Sequence, residues 1–529
     1  MSLYFERNLA KISNCRSRSL FTESKIGLER ESLRVGQDGK ISQTSHPRAL
    51  GSALTNASFT TDYSEALLEI VTPPFTNKDQ LRHYLNSCQT FVYSALENEI
   101  LWASSMPCVV AGESSIPIAR YGNSNLGMMK SVYRNGLGLR YGRLMQVIAG
   151  IHFNYSYSET FWESYLDGKL NSNNLRDVVS ESYFAQIRNI QRIGWLIPYL
   201  FGNSPAVCKS FLQGVVSDLV PFDDTTFYQP YATSLRLGDI GYQNSREDET
   251  GIKVNYDTLN QYVKSLHYAI STPHAEYEKF GVKKDNEFVQ LNANLLQIEN
   301  EYYSTVRPKQ ICDVMEMPIN ALKNRGVAYI ELRSLDIDVF EPNGINEATI
   351  FFVEALLLYC LLEESPNITK QEHKIISKNI LDVAHNGRMP NLKLQKGNDL
   401  ISLTDWSKQI FDDLLSICNV LDECQNTNKY KLAYQYFYEM IDEPERTPSA
   451  RILTEMRNNN EGFYQFSLRK SQEHEAYFKK VSLSYEERAV FEKQVNDSLE
   501  QQNLCSQNSN ESFDDFLEKY FAQARLSDE

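Results

Sequence analysis

The chain has 529 residues, 42% of them hydrophobic and 23% charged, with a net charge of −15. That composition is ordinary for a soluble globular protein, and length alone allows about three or four domains. The acidic balance argues against non-specific nucleic-acid binding and against docking on anionic lipid.

Glu6 follows directly on Leu3-Tyr4-Phe5 with no apolar run, so no signal peptide is expected. The most membrane-like stretch, 348–362, is short and interrupted by Glu354, and it reads as a buried helix. Nine cysteines (15, 88, 108, 208, 312, 360, 418, 424 and 505) form no CxxC pair. Their scatter fits a reducing cytoplasm, with no disulfide framework, zinc ribbon or redox motif.

In chain order, residues 1–20 read as an amphipathic lead-in helix. Residues 24–36 and 65–72 read as strands, the second stopped by Thr72-Pro73-Pro74. Residues 78–101 have helical spacing through Leu81, Leu85, Phe91, Val92 and Leu96. The stretch 103–145, rich in Gly, Ser, Asn and Arg, suggests long ordered loops around a site. Residues 146–155 give the cleanest strand pattern. A helix at 180–201 breaks at Gly202-Asn203-Ser204-Pro205. A second loop-rich stretch, 214–250, precedes a helix at 256–271, and 289–298 and 327–337 read as strands. Beyond about residue 345 the pattern is helical, with polar connectors at 364–370 and 386–399. A mobile polar segment is expected at 495–513, before a last amphipathic helix at 513–524. No internal repeat is visible. The class is α+β: a largely antiparallel sheet with helices around it. Residues 1–345 form the expected catalytic core and 346–529 a mainly helical part packed on it.

Side chains alternate faces along a strand, and four segments put polar groups in register. Glu29 and Glu31 share one face, too close for both to ionise freely without a cation. In 146–155, Gln146, His152 and Asn154 share a face opposite Val147, Ala149, Ile151 and Phe153. In 327–337, Tyr329, Glu331 and Arg333 oppose Ile330 and Leu332. In 289–298, Gln290, Asn292 and Asn294 oppose Leu291, Ala293 and Leu295. Glu69 stands alone in Leu67-Leu68-Glu69-Ile70-Val71. For any one strand the ordinary reading is a solvated outer face. Together these faces favour Asn, Gln, His, Arg and paired acids, the residues that orient ligands.

Hard oxygen ligands with one imidazole suit Mg²⁺ or Mn²⁺ better than zinc, and such ions commonly hold nucleotide phosphates. No P-loop and no strand-borne GxGxxG is present, so an ATP site must work through metals and arginines on a sheet. Arg134, Arg236 and Arg333 sit in apolar or Gly-rich contexts and are candidates for binding phosphate or carboxylate.

At this point the residues match a known pattern. Gly27–Val35, the run 49–55, Thr60-Thr61-Asp62 through Glu69, and Ser104-Ser105-Met106-Pro107-Cys108 resemble the proteobacterial glutamate–cysteine ligases. So do Tyr121-Gly122-Asn123-Ser124-Asn125, Gly150-Ile151-His152-Phe153-Asn154, Pro198-Tyr199-Leu200-Phe201-Gly202, and the runs 231–242, 296–307 and 329–336. The order of these landmarks follows the family over about residues 20–345, with Ser449-Ala450-Arg451-Ile452-Leu453 as a further match.

The resemblance implies a curved, funnel-like antiparallel sheet related to glutamine synthetase. It also implies ATP-dependent formation of γ-glutamylcysteine, the first step of glutathione synthesis. Glu29, Glu31, Asp62, Glu69, His152 and Glu331 fall on metal-ligand positions, and Arg333 on a residue near the transferred phosphate. Tyr133, Leu137, Gln146, Arg236, Tyr242 and Tyr303 fall on the cysteine pocket or its margin. Asn154 joins the substrate-binding set, and Arg451 the ATP-binding set with Arg333. Arg134 is expected to stabilise the transferring group. The disulfide of some relatives has no counterpart, since residues 361–417 contain no Cys. Small-molecule substrates are implied, without nucleic acid, membrane or an obligate protein partner. The alternatives are a carboxylate–amine ligase with another amine, an ATP-sensing protein that kept the fold, and, least favoured, a glycosidase.

Overall fold

The acid-bearing segments lie side by side in one seven-stranded antiparallel sheet. Its strands are β1 (Lys25–Gly36), β2 (Phe59–Thr61), β3 (Leu67–Val71), β4 (Glu99–Leu101), β5 (Ile151–Ser156), β6 (Val306–Lys309) and β7 (Tyr329–Leu335). The order is β6-β7-β5-β1-β3-β2, with β4 paired to β1. The computed structural model describes residues 2–13, 19–166, 174–213, 217–241, 253–507 and 511–525.

Alternation along β1 sends Ile26 and Leu28 into the core behind the sheet and turns Glu29 and Glu31 to the front. Behind β5 lies α3 (Glu347–Leu362), apolar all round and buried along nearly its whole length. This is the stretch that looked most membrane-like. Among the described residues no helix is long and apolar enough to cross a membrane. Glu354, the acid within α3, is 1% exposed and meets Lys78 Nζ at 2.6 Å. It also accepts from Tyr155 Oη at 3.1 Å and Tyr430 Oη at 2.5 Å. One carboxylate thus ties α3 to β5, to α1 (Lys78–Ala95) and to α4 (Lys429–Asp442).

Several expectations are corrected. The helix begun at Lys78 ends at Ala95, and Glu99–Leu101 turns back to pair with β1. The supposed loops at 103–145 contain α2 (Asn125–Tyr141), capped by the Ser124 hydroxyl, which accepts from the Gly127 N–H. Its glycines hid it, yet they are required there. A Cβ on Gly127 would stand 2.4 Å from the Tyr121 carbonyl oxygen, and one on Gly136 2.2 Å from Gln297 Oε1.

Residues 289–298 form no strand. Their amides bond to backbone instead: Gln290 to the Tyr277 and Gly281 carbonyls, Asn292 to Gln297 O, Asn294 to Ile270 O. Strand β5 begins only at Ile151, because residues 145–147 make a 3₁₀ turn. The helix expected at 180–201 is two, Leu175–Arg192 and Leu196–Phe201. The connector 386–399 carries one strand of a hairpin, Lys393–Lys396 with Asp399–Ser402. Of the polar segment expected at 495–513, residues 495–507 belong to a long helix, Tyr485–Gln507, and 508–510 lie outside the described residues. Strand β6 was missed because Pro308 masks it, and the edge of a sheet is where proline is tolerated.

The cysteine reading is also corrected. Cys108 and Cys208 form a disulfide, their Cα atoms 5.5 Å apart across 100 residues of sequence. Spacing cannot reveal it, because the bond depends on where two distant segments meet.

Two stability predictions follow from these buried charges. Lys78→Met strands the Glu354 carboxylate and is expected to cost about 3–5 kcal/mol, read as a lowered melting temperature. Lys78→Met with Glu354→Leu should recover most of that loss. His474, on α5 (Phe463–Phe478), is buried, and burial followed by the Arg30 charge holds its imidazole down to about 3. Between pH 6.5 and 3 the unfolded chain binds a proton that the folded chain does not, so this contribution is lost as pH falls. His474→Gln should therefore narrow the stability gap between pH 7.5 and 5.0 by about 2 kcal/mol, measured by urea unfolding.

Candidate active site

Strand register assembles the front face. Glu31 pairs across with Glu69, Glu29 with His152, and Glu331 with both Asn154 and Arg307. Directly opposed residues hold their Cβ atoms about 4.5–5.5 Å apart, so these side chains are immediate neighbours. His152 Nδ1 lies 2.8 Å from Glu29 Oε2 and 3.7 Å from Glu331 Oε1, while Nε2 lies 3.6 Å from Glu31. One ligand atom from each of Glu29, His152 and Glu331 falls within 4.8 Å of the others. Asn154 donates to Glu29 Oε1 at 2.9 Å, and the Gly150 N–H donates to Glu31 Oε2 at 2.7 Å.

The electrostatics divide the acids. Burial opposes charge on Glu331, but Lys309 and Arg333, at 3.6 and 3.1 Å, hold it well below the usual carboxylate range. Burial and Glu331 push Glu29 up, yet its bond to His152 and the Lys309 charge bring it below its ordinary value. Burial raises Glu31, and Asp62 adds to the effect. Glu69 is raised furthest, by burial and then by Glu29, Asp62 and Glu31. The Glu331 Oε2 atom is buried without a hydrogen bond. A buried set of acids crowded in this way fits a divalent cation bound by oxygen and one imidazole.

These groups line a cavity of about 500 Å³. Glu29, Asp62, Glu69, His152, Glu331, Arg333, Arg134, Tyr133, Leu137, Gln146 and Tyr303 all face it. Glu31 and Asn154 support the lining from within the sheet. Arg236 does so from further back: it is buried, donates to the Arg333 carbonyl at 2.9 Å and lies 3.6 Å from Asp336. A Cβ on Gly150 would collide with its guanidinium, so that glycine makes the space Arg236 occupies. Arg451 is not part of the lining; it stacks on Phe340 at 3.8 Å. Tyr242 lies outside the described residues.

Sequence reasoning missed Arg307 and Lys309, which line the cavity from β6 and share a face by parity, a signal Pro308 obscured. It also missed Glu301, buried in the lining, which accepts from Arg140 Nη1 at 2.9 Å, Tyr141 Oη at 2.8 Å and the Gln297 N–H at 2.6 Å. Through this carboxylate the irregular stretch before residue 301 is fastened to α2.

The family model described as glutamate–cysteine ligase matches residues 9–383. The glutamate–cysteine ligase of Alcanivorax borkumensis is 42% identical over 525 residues, 98% of this chain and 99% of that protein. That of Pseudomonas putida is 45% identical over 94% of each chain. Among solved structures, glutamate–cysteine ligase from Francisella tularensis in complex with AMP superposes with a TM-score of 0.88 at 35% identity, covering 95% of this chain and 98% of that one. A bifunctional glutathione synthetase from Pasteurella multocida shares the fold, with a TM-score of 0.70 at 22% identity over 90% of this chain and 55% of that one. These likenesses define the class as a ligase built on an antiparallel sheet flanked by helices. More particularly, the chain belongs to the glutamate–cysteine ligase family.

Gln297 is the joint between α2 and the irregular stretch, accepting from the Leu291 N–H at 3.0 Å and donating to the Tyr133 carbonyl at 3.2 Å. Gly136→Ala would evict its amide, an overpacking that costs about 1–3 kcal/mol. The expected outcome is a lowered melting temperature together with a raised amino-acid KM. Unchanged kinetics would show that the joint does not shape the cavity.

Proposed function

We infer that the cavity joins the γ-carboxylate of L-glutamate to the α-amine of L-cysteine at the expense of ATP. The products are γ-glutamylcysteine, ADP and phosphate, the entry step of glutathione biosynthesis. The observation that carries this reading is the convergence of Glu29, His152 and Glu331 in a buried cavity of a chain from this family.

A carboxylate is a poor acyl donor, so it must first be activated. The γ-carboxylate attacks the terminal phosphorus of ATP, the bond to the ADP oxygen breaks, and γ-glutamyl phosphate forms. The cysteine amine, having lost a proton, attacks the acyl carbon, and phosphate leaves. In this reading Glu29, His152 and Glu331 would hold Mg²⁺ or Mn²⁺, with Glu31, Asp62 and Glu69 as further acids available to such ions on the same face. The crowding of these acids supports it. When bound, such an ion neutralises charge on the phosphates.

Arg333, fixed by Glu331 at 3.1 Å, presents a permanent positive charge toward the transferring group, and Arg134 adds a second. Tyr133, Leu137, Gln146 and Tyr303 confine the amino acid, giving modest selectivity for each methyl or hydroxyl. Arg236 acts through Arg333, whose backbone it holds. Residues 1–345 serve as the catalytic core, with 346–529 packed against it. The reaction belongs in the cytoplasm, where ATP and reduced cysteine coexist.

The test is ADP release that requires glutamate and cysteine together. Glu29→Gln and Glu331→Gln should each lower that rate by about 10²–10³, and Glu331→Gln should also lower the melting temperature, because it leaves Lys309 and Arg333 without their carboxylate. Near-parental activity of either variant in saturating Mg²⁺ would sink the metal-face assignment.

A further inference from the structure

Lys130 has no part in the reading above, yet it lines the same cavity, one helical turn before Arg134 on α2. Both cations lie over the ring of Tyr121, at 5.3 and 4.6 Å from its centroid. That ring is buried, and its hydroxyl bonds the carbonyls of Thr61 and Asp62 at 2.7 and 3.0 Å. The two cations are thereby mounted on the end of the segment that carries Asp62.

Like charges four residues apart on a helix repel, and half-burial adds to the cost. Elsewhere in the cavity such cost is offset by contact, since Arg333 and Lys309 both lie against Glu331. Among the described residues no carboxylate lies within ion-pairing distance of Lys130 or Arg134. Glu69 acts on both only from farther away. Arg134 directs Nε to the Asp62 carbonyl and Nη1 to the Lys130 carbonyl at 3.0 Å, which leaves other N–H groups of its fork for a ligand. Burial, followed by the Arg134 charge, brings the Lys130 ammonium down to about 8, as expected of a cation lacking its counter-ion.

We propose that Lys130 and Arg134 form one oxyanion seat in the ligation cavity, taking a carboxylate or phosphoryl group of a substrate across the floor made by Tyr121. The proposal rests on the ligase reading and adds Lys130 to it as a substrate-contacting residue. A guanidinium fork and an ammonium side by side match an oxyanion with at least two free oxygens.

The experiment compares the full-length chain with Lys130→Met, which keeps the apolar stem, and Lys130→Arg, which keeps the charge. Each of ATP, glutamate and cysteine is varied in turn. Lys130→Met should lower kcat/KM for at least one of them by 50-fold or more without lowering the melting temperature, and Lys130→Arg should restore at least tenfold of that loss. A rise confined to the KM of glutamate or of cysteine identifies a carboxylate as the occupant. A fall in kcat with the amino-acid KM values unchanged identifies the phosphoryl group. If Lys130→Met stays within threefold of the parent for all three substrates, the seat does not exist. If the arginine variant is no better than the methionine one, Lys130 merely fills space. Should Lys130→Met melt early, Lys130→Gln takes its place. A parent chain that makes no γ-glutamylcysteine would defeat the ligase reading instead. In that event calorimetric titration with inorganic phosphate decides the seat alone: at least tenfold weaker binding by Lys130→Met supports it, and equal binding overturns it.

Discussion

Everything in this protein is arranged around carboxylates that the strand register forces together. Once β1 lies between β5 and β3, Glu31 must face Glu69 and Glu29 must face His152; pairing β7 to β5 then brings in Glu331. Burial makes each of these charges costly and their mutual repulsion makes them costlier. The structure meets that cost locally. Glu331 receives Lys309 and Arg333, Glu29 receives His152 and Asn154, and Glu31 receives a backbone N–H from Gly150. Glu69 receives the least, and its carboxyl is accordingly the one raised furthest.

Such a face needs a stiff support. Behind the sheet the Glu354–Lys78 pair joins three helices and a strand at one buried point, with two tyrosine hydroxyls completing the acid's bonds. In front, α2 can approach the irregular stretch before residue 301 only because Gly136 leaves room for the Gln297 amide. Arg140 then closes the joint, reaching Gln290, Glu301 and the carbonyls of Asn292 and Asn294. The cavity is thus a gap held open between rigid parts, which suits a reaction that depends on positioning.

Much of this was legible from alternation alone. Strands β1, β3 and β7 fall where the pattern puts them, and the acids on their front faces meet as parity requires. The failures share a cause. Helix α2 reads as loop because of its glycines, two of which, Gly136 and Gly138, make room for Gln297 and Tyr63, distant in sequence. Residues 289–298 alternate like a strand, but the amides of Gln290 and Asn294 bond to the carbonyls of Tyr277 and Ile270, outside the segment, instead of a ladder forming. Strand β6 is hidden by a proline that only an edge position tolerates. In each case a tertiary neighbour overrides the local signal.

The division between the two levels is therefore physical. The order of residues alone determined that Glu29 and Glu31 share a face, that Glu331 and Arg333 share another, and that α3 would be buried. Each follows from a period of 2 or 3.6 residues in a short segment. Only the tertiary structure decided that these faces are one face, because register between strands far apart in the chain is a property of their packing. It also decided that Cys108 meets Cys208, that Arg236 sits behind the lining while Arg451 stacks on Phe340, and that Lys130 shares the Tyr121 ring with Arg134. A side chain's partners across a fold are set by distances that no local period contains.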